Sequence, residues 1–137
     1  MKTPSKSRTY PIDIRFSDLD ALGHVNNAIY LNYLEKVRIL WLIDEKIIAP
    51  KKLNKIPLIL ARSEIDYKKP ISDFKDFFAT IFLSHLGTKS FNLSYTIKKK
   101  DIIYCEAKTV QVWFNYESNQ TIVIPNDIQK KMKLLLT

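Results

Sequence analysis

The segment from Ala28 to Ile43 most constrains the fold, because apolar residues cover most of its surface when it is drawn as a helix. Its polar residues form only a narrow stripe, made by Asn32, Glu35, Lys36 and Arg38. A helix that is apolar over most of its circumference must be buried on most sides. A chain of 137 residues is long enough for one domain. The expected partner of this helix is therefore a β-sheet curled around it.

Apolar runs and alternating patterns elsewhere in the chain supply the strands of such a sheet. They are predicted at residues 10–16, 56–67, 77–83, 90–97 and 102–114, with a short edge segment at 121–124. Residues 85–88 are predicted to form a turn, and a final helix is predicted at 128–136. The order of elements predicts an α+β class, with one long central helix packed on a curved antiparallel sheet of about five strands. Residues 1–7 are predicted to be a flexible tail of a single domain spanning 1–137.

The loop between the first strand and the long helix concentrates polar chemistry. It reads Phe16-Ser17-Asp18-Leu19-Asp20-Ala21-Leu22-Gly23-His24-Val25-Asn26-Asn27. It holds two carboxylates, one of the 2 histidines and one of the 2 glycines of the chain. Backbone N–H groups are unpaired at a helix N-terminus, and the helix dipole favours negative charge there. The loop therefore predicts a site that can stabilise a developing oxyanion.

Each polar residue of this loop also has a structural interpretation. Asp20 is either a helix cap or a catalytic carboxylate, and Asp18 suits an Asx-turn better than a shared-proton pair with Asp20. His24 is either a second acid–base group or a support of the loop. Asn26 and Asn27 are both good helix caps. Without a further nearby histidine or cysteine, the two carboxylates and His24 make a poor metal site.

Composition excludes several other classes. The net charge is +8, which could attract a polyanion, but the lysine pairs are scattered and lack interleaved aromatic residues, so nucleic-acid binding is disfavoured. There is no GxSxG, P-loop or GxGxxG motif, so covalent serine catalysis and the binding of nucleotide phosphates by a glycine-rich loop are disfavoured. There is no long uncharged apolar run, so a membrane span is not expected. The single cysteine, Cys105, excludes an internal disulfide. No apolar segment follows the basic start of the chain, which favours a cytoplasmic protein.

The strand–DLDALGHVNN–helix order resembles the hotdog-fold acyl-CoA thioesterases, in particular their 4-hydroxybenzoyl-CoA thioesterase-like branch. Residues 61–71, 87–91 and 106–114 resemble later strands of that family in the same order. The resemblance implies the hotdog fold and hydrolysis of an acyl-CoA to a free acid and coenzyme A. It implies no separate cofactor, because coenzyme A is part of the substrate. It also implies a homodimer or homotetramer whose active site lies across a dimer interface.

The resemblance assigns roles to individual residues. Asp20 matches the catalytic carboxylate, acting as nucleophile or as base for water, and Asn27 matches the residue whose backbone N–H polarises the thioester carbonyl. His24 is expected to support the loop. Gly23, Lys89 and Ser90 are expected to contact the substrate, with Lys89 near coenzyme A.

The sequence departs from the family pattern at two places. Gly87 and Thr88 replace basic residues of one family member, and Leu22 replaces an asparagine of the plant acyl-carrier-protein thioesterases. Two alternatives to the thioesterase function remain open at this point: a dehydratase or hydratase acting on acyl thioesters, and a non-catalytic module that binds acyl-CoA or nucleic acid.

Overall fold

The computed structural model describes residues 6–136. In chain order it contains β1 Arg8–Pro11, α1 Ile29–Asp44, β2 Leu58–Tyr67, β3 Phe78–Leu86, β4 Ser90–Lys99, β5 Ile102–Asn115, β6 Gln120–Thr121 and α2 Asn126–Leu135. Short 3-10 segments lie at Phe16–Asp18 and Pro50–Lys55. Most of the predicted N-terminal tail lies outside the described residues. Lys6 is a described residue of this predicted tail, and its ammonium donates a 2.6 Å hydrogen bond to the Leu134 carbonyl at the end of α2.

The strands form one antiparallel sheet in the order β1-β3-β4-β5-β2, and β6 pairs with the end of β5. This sheet curls as a half-barrel around α1, which buries its apolar residues against the concave face. The predicted fold class is therefore confirmed, including the curved sheet, the central helix and the short C-terminal helix. None of the helices between residues 6 and 136 is long and apolar enough to span a membrane.

The core lies between α1 and the concave face of the sheet. Alternate residues of β4 point into it, and Phe91, Leu93, Tyr95 and Ile97 are all buried. Trp41 of α1 packs near Phe91, with ring centroids 6.4 Å apart. Burial of each such side chain stabilises the fold by about 1.5–3 kcal/mol before entropy is counted. This packing fixes the position of α1, and hence of the loop that precedes it.

Several predicted boundaries were wrong in detail. β1 pairs with β3 only from Arg8 to Pro11, and after the bond from the Ile12 N–H to the Phe77 carbonyl the chain leaves the sheet. Ile12 and Ile14 are still buried, which produces the alternation, but Phe16 is 82% exposed. His85 and Leu86 pair with β4, so the turn is limited to residues 87–89.

The remaining differences lie near the ends of the helices and strands. The Pro50–Lys55 3-10 segment was not predicted. The edge segment β6 is only two residues long, and α2 begins at Asn126 rather than at Ile128.

Candidate active site

The loop from Asp20 to His24 is a tight turn closed by its own backbone. The Asp20 N–H donates to the His24 carbonyl at 2.8 Å, and the Gly23 N–H donates to the Asp20 carbonyl at 3.0 Å. Gly23 has a φ of +77°, a conformation that side-chain-bearing residues rarely adopt. A Cβ added at Gly23 would meet no atom of residues 6–136 within 4 Å. Glycine is therefore favoured here by the shape of the turn and not by a close approach.

The Asp20 carboxylate is anchored through one oxygen. Its Oδ1 accepts hydrogen bonds from the Leu22 N–H at 2.9 Å and from the His24 N–H at 3.4 Å. No group in residues 6–136 donates to Oδ2, and the residue is exposed. The backbone thus fixes the orientation of the carboxylate and leaves one oxygen available to a ligand.

Asn26 and Asn27, the two predicted caps, make different contacts at the start of α1. The Asn26 side-chain oxygen accepts from the Ala28 N–H at 2.9 Å, a turn that precedes the helix, while the cap position is Ala28, which receives no side-chain cap bond, so neither asparagine is the predicted helix cap. The Asn27 carbonyl accepts a 3.1 Å bond from the Tyr67 hydroxyl. The Asn27 N–H has no acceptor within the described part of the chain. It is therefore a free donor at a helix N-terminus, close in sequence to Asp20.

Asp18 has a structural role, which agrees with the preferred interpretation of its sequence. Its Oδ2 accepts from the Tyr33 hydroxyl at 2.6 Å and from the Arg15 N–H at 3.1 Å. Its carbonyl accepts from the Asn26 N–H at 2.9 Å. Burial, followed by the hydrogen bond to Asp18, raises the pKa of Tyr33 well above its usual range. Sequence reasoning did not single out Tyr33, because an aromatic residue on an apolar helix is most often only a core residue.

His24 supports the loop through its backbone, as both its N–H and its carbonyl bond to Asp20. Its half-buried imidazole makes no hydrogen bond to any residue that the structure describes. Among residues 6–136, no three histidine, cysteine or acidic side chains are arranged to hold a metal ion.

Lys89 and Ser90 lie far from Asp20 within one copy of the chain. Val25, which ends the Asp20 loop, bonds to the Ile71 carbonyl just after β2. The end of β2 pairs with Cys105, whereas Ser90 pairs with Val112, seven residues further along β5. At about 3.3 Å per residue, the two ends are roughly 23 Å apart. A single chain therefore does not bring the predicted coenzyme A contacts to the predicted catalytic carboxylate.

The end of the sheet that carries Lys89 also holds a cavity of about 950 Å³. It opens between the second half of α1, the Pro50–Lys55 segment, the start of β2 and the end of β5, and its volume suits a small-molecule site. Its walls are largely apolar and include Ile39, Leu42, Leu53, Leu58, Leu60 and Phe114. The polar side chains of Glu35, Arg38 and Gln111 also line it. Sequence reasoning missed this cavity, although Glu35 and Arg38 interrupt an otherwise apolar helix.

Comparison with known proteins settles the family. The model of the thioesterase-like superfamily matches residues 14–132, which covers the Asp20 loop, α1, strands β2 to β6 and most of α2. This chain belongs to the thioesterase-like superfamily. The resemblance seen in the sequence is confirmed, and the class of activity is thioester hydrolysis.

Individual relatives share the fold or part of the sequence of this chain. A predicted thioesterase from Bacillus stearothermophilus superposes with a TM-score of 0.86 at 23% identity, over 96% of this chain and 97% of that one. A thioesterase from Thermus thermophilus, solved in complex with coenzyme A and Zn, gives a TM-score of 0.78 at 29% identity, over 93% and 92% of the chains. The protein YsmA of Bacillus subtilis is 26% identical over 84 residues, 61% of this chain and 56% of that protein.

Proposed function

We propose that this protein hydrolyses acyl-CoA thioesters to a free acid and coenzyme A, with Asp20 as the catalytic carboxylate. One observation carries the proposal: within residues 6–136, a carboxylate with one anchored and one free oxygen lies seven residues before a free backbone N–H at the start of α1. Thioester hydrolysis requires a nucleophile or a base together with a donor for the oxyanion. The relative crystallised with coenzyme A supports the choice of thiol.

The chemistry follows two routes that share these groups. Either Oδ2 of Asp20 attacks the thioester carbonyl, or it removes a proton from a water molecule that attacks. In both, the Asn27 N–H stabilises the oxyanion, the C–S bond breaks, and the thiolate of coenzyme A takes up a proton. The anhydride of the first route is then hydrolysed by water. One oxyanion donor contributes about 10²–10³-fold to kcat.

We further propose that a second copy of the chain completes the site. β2 is ten residues long and lies at the edge of the sheet, with β5 on one side and no described strand on the other. Leu60 and Tyr67 of this edge are each 46% exposed. An exposed strand edge is a template for pairing with another chain. Antiparallel pairing of two β2 strands about Ser63 would place each Arg62 opposite Glu64 of the partner subunit.

This pairing would bring the Asp20 loop of one copy to the sheet end of the other copy that carries Lys89 and Ser90, two regions that lie far apart within one chain. With Ser63 on the two-fold axis, Tyr67 would lie opposite Ile59 of the partner subunit, a residue of its cavity. The Asp20 loop of one copy would then face the cavity, Lys89 and Ser90 of the other. In this arrangement the acyl group enters the partner's cavity, Gly23 shapes the loop against the substrate, and Lys89 attracts the phosphates of coenzyme A.

The alternatives have less support from the geometry. A hydratase needs a histidine paired with a carboxylate, and the His24 ring hydrogen-bonds to no carboxylate among residues 6–136. A module that merely binds acyl-CoA or nucleic acid would not need an available carboxylate oxygen in the same loop as an available N–H.

The test of the proposed function is thiol release from a panel of aryl-CoAs and C4–C16 acyl-CoAs, with hydration of enoyl-CoAs followed in parallel. Turnover of saturated acyl-CoAs with release of one thiol per acid is expected. Hydration of the enoyl group without thiol release, or binding without turnover, would contradict the proposed function.

A further inference from the structure

Arg38 is a cation that has no ion-pair partner among the described residues. It lies in the second half of the α1 segment that packs on the core, it is half-buried, and it lines the cavity described above. The ion pairs within residues 6–136 involve Arg8, Arg15, Arg62 and Lys99, and none of them involves Arg38. Its one hydrogen bond in this part of the chain runs from Nη1 to the Tyr95 hydroxyl at 3.3 Å. A guanidinium has five N–H donors, so most of them have no acceptor within the described part of the protein.

A chain of buried polar side chains holds Arg38 in place. The Tyr95 hydroxyl is 2.6 Å from the Thr109 hydroxyl, which in turn hydrogen-bonds the Gln111 side-chain oxygen. The Gln111 amide then donates a 3.1 Å bond to the Phe91 carbonyl. Polar groups inside a core are costly unless each finds a partner, and here each does. This chain therefore presents a preoriented guanidinium at the wall of the cavity.

The remainder of the cavity determines which ligand suits that cation. The walls around Arg38 are more apolar than polar: Ile39, Leu42 and Phe114 are among the apolar side chains, and Asn54 and Asn115 are among the uncharged polar ones. The other charged groups that line it are Glu35, three residues before Arg38 and not ion-paired with it, together with Lys55 and Glu117. An apolar chain that ends in a carboxylate matches such a slot, because a guanidinium binds a carboxylate through two parallel hydrogen bonds.

We propose that the cavity binds the acyl group and that Arg38 binds a carboxylate at its far end, so that the preferred substrates are CoA mono-thioesters of dicarboxylic acids. The proposal rests on the proposed thioesterase function, and in the dimer it assigns Arg38 of one copy to the substrate that Asp20 of the other copy hydrolyses. Arg38 is in this account a specificity-determining residue that leaves the reacting atoms untouched.

The test compares matched pairs of substrates that differ only in the terminal carboxylate. Thiol release is measured for adipoyl-, suberoyl- and sebacoyl-CoA against hexanoyl-, octanoyl- and decanoyl-CoA. At the best length we expect kcat/KM to favour the dicarboxylic thioester by about 10–100-fold, the range for a hydrogen-bonded charge. Arg38→Met should remove that preference, so that kcat/KM for the dicarboxylic thioester falls by about 10–100-fold relative to kcat/KM for the plain chain of the same length. A wild-type preference for the plain chains, or an equal loss on both series, would overturn the proposal.

Two further measurements keep the proposal testable if Arg38→Met fails to fold or no thioester is hydrolysed. Glu35→Gln removes the carboxylate that shares the cavity with Arg38, and it should raise the preference for dicarboxylic thioesters by about threefold, as for one partly exposed charge pair. Calorimetric titration with free suberate and octanoate needs no turnover. Suberate should bind more tightly to the wild-type protein than octanoate does, and equal affinities would contradict the role of Arg38. Absence of thiol release together with tight suberate binding would contradict the proposed function alone.

Discussion

The Tyr33 hydroxyl donates a 2.6 Å hydrogen bond to the carboxylate of Asp18, which ties the second turn of α1 to the loop that holds Asp20. The same carboxylate accepts the Arg15 N–H, and the Asp18 carbonyl accepts the Asn26 N–H. Asp18 thus fixes the loop at its entrance, at its exit and against the helix. The position of Asp20 relative to the start of α1 depends on this residue.

Tyr33→Phe removes one of these bonds and nothing else. Because the bond is charge-assisted, we expect the free energy of unfolding to fall by about 1.5–3 kcal/mol and kcat to fall several-fold as the loop loosens. Urea denaturation and thiol-release kinetics measure the two effects. Tyr10→Phe is the matched control, since the Tyr10 hydroxyl donates a 2.6 Å bond to Asp44 at the other end of α1. It should lower stability without lowering kcat, and an equal fall in kcat would contradict the role of Tyr33.

Gly23→Ala tests whether backbone conformation alone explains the glycine. No atom in the described part of the chain lies in the way of the new methyl group, so the expected destabilisation of about 1 kcal/mol comes only from the positive φ. The variant should also weaken the anchoring of Asp20, because the turn presents the Leu22 and His24 N–H groups to it. Gly23→Asn, which tolerates this conformation better, should recover most of the stability. Equal stability of the wild-type and alanine proteins in urea denaturation would refute this explanation.

Alkaline pH should destabilise the fold through buried groups that resist ionisation. Burial, and then the charges of Asp66 and Glu106, raises the pKa of the Cys105 thiol to about 12. Burial also raises the pKa of Tyr30 to about 12. Above its ordinary pKa each group binds a proton in the folded state that the unfolded state has lost, so stability falls as the pH rises.

Cys105→Ala isolates one of these groups. Between about pH 9 and pH 12 the variant should show a shallower decline in unfolding free energy, by up to about 1.4 kcal/mol per pH unit, the value for one proton. Urea denaturation across this range measures the slope. Only the slope is diagnostic, because loss of the buried sulfur lowers stability at every pH. Identical slopes for wild type and variant would contradict the assignment.

The proposed pairing of β2 strands predicts a charge-reversal pattern at Arg62 and Glu64. Arg62→Glu should weaken the dimer by about tenfold or more, because it replaces attraction by repulsion on both sides of the two-fold axis. Glu64→Arg should do the same, and the double variant Arg62→Glu with Glu64→Arg should restore dimerisation. Sedimentation over a range of protein concentrations measures the dissociation constants. Single variants that dimerise as well as the wild type would contradict a register centred on Ser63.

Local patterns were sufficient to predict most of the fold. The apolar circumference of residues 28–43 predicted a helix inside a curled sheet, and the alternation along β4 identified the face that is buried. Errors occurred where tertiary pairing determines the outcome. Ile12 and Ile14 alternate with polar residues as strand residues do, yet the chain has already left β3 there. His85 looks like a turn residue beside Gly87 but extends β3 through its pairing with Asn92.

The candidate site was predictable only in part, because some of its residues belong to one loop and others come together only through the tertiary fold. The loop around Asp20 is local, so its residues could be found from spacing and residue type. The cavity near Arg38 depends on four separate elements that meet only after folding. The separation of Lys89 from Asp20 depends on strand order, which the sequence pattern does not specify. The proposed site also needs a second copy of the chain, and the pattern of one sequence does not specify how two copies pair.

The most direct test of the central claim is single-turnover hydrolysis by Asp20→Asn, with Asp18→Asn as the matched control in the same loop. The amide introduced by Asp20→Asn would keep a side-chain oxygen for the Leu22 and His24 N–H groups but would lose the free anionic oxygen. We expect the hydrolysis rate to fall by about 10²-fold or more, while the dissociation constant of a non-hydrolysable thioether analogue of the substrate stays within about threefold of wild type. Asp18→Asn should lose much less rate. A hydrolysis rate for Asp20→Asn close to that of the wild type would contradict the account.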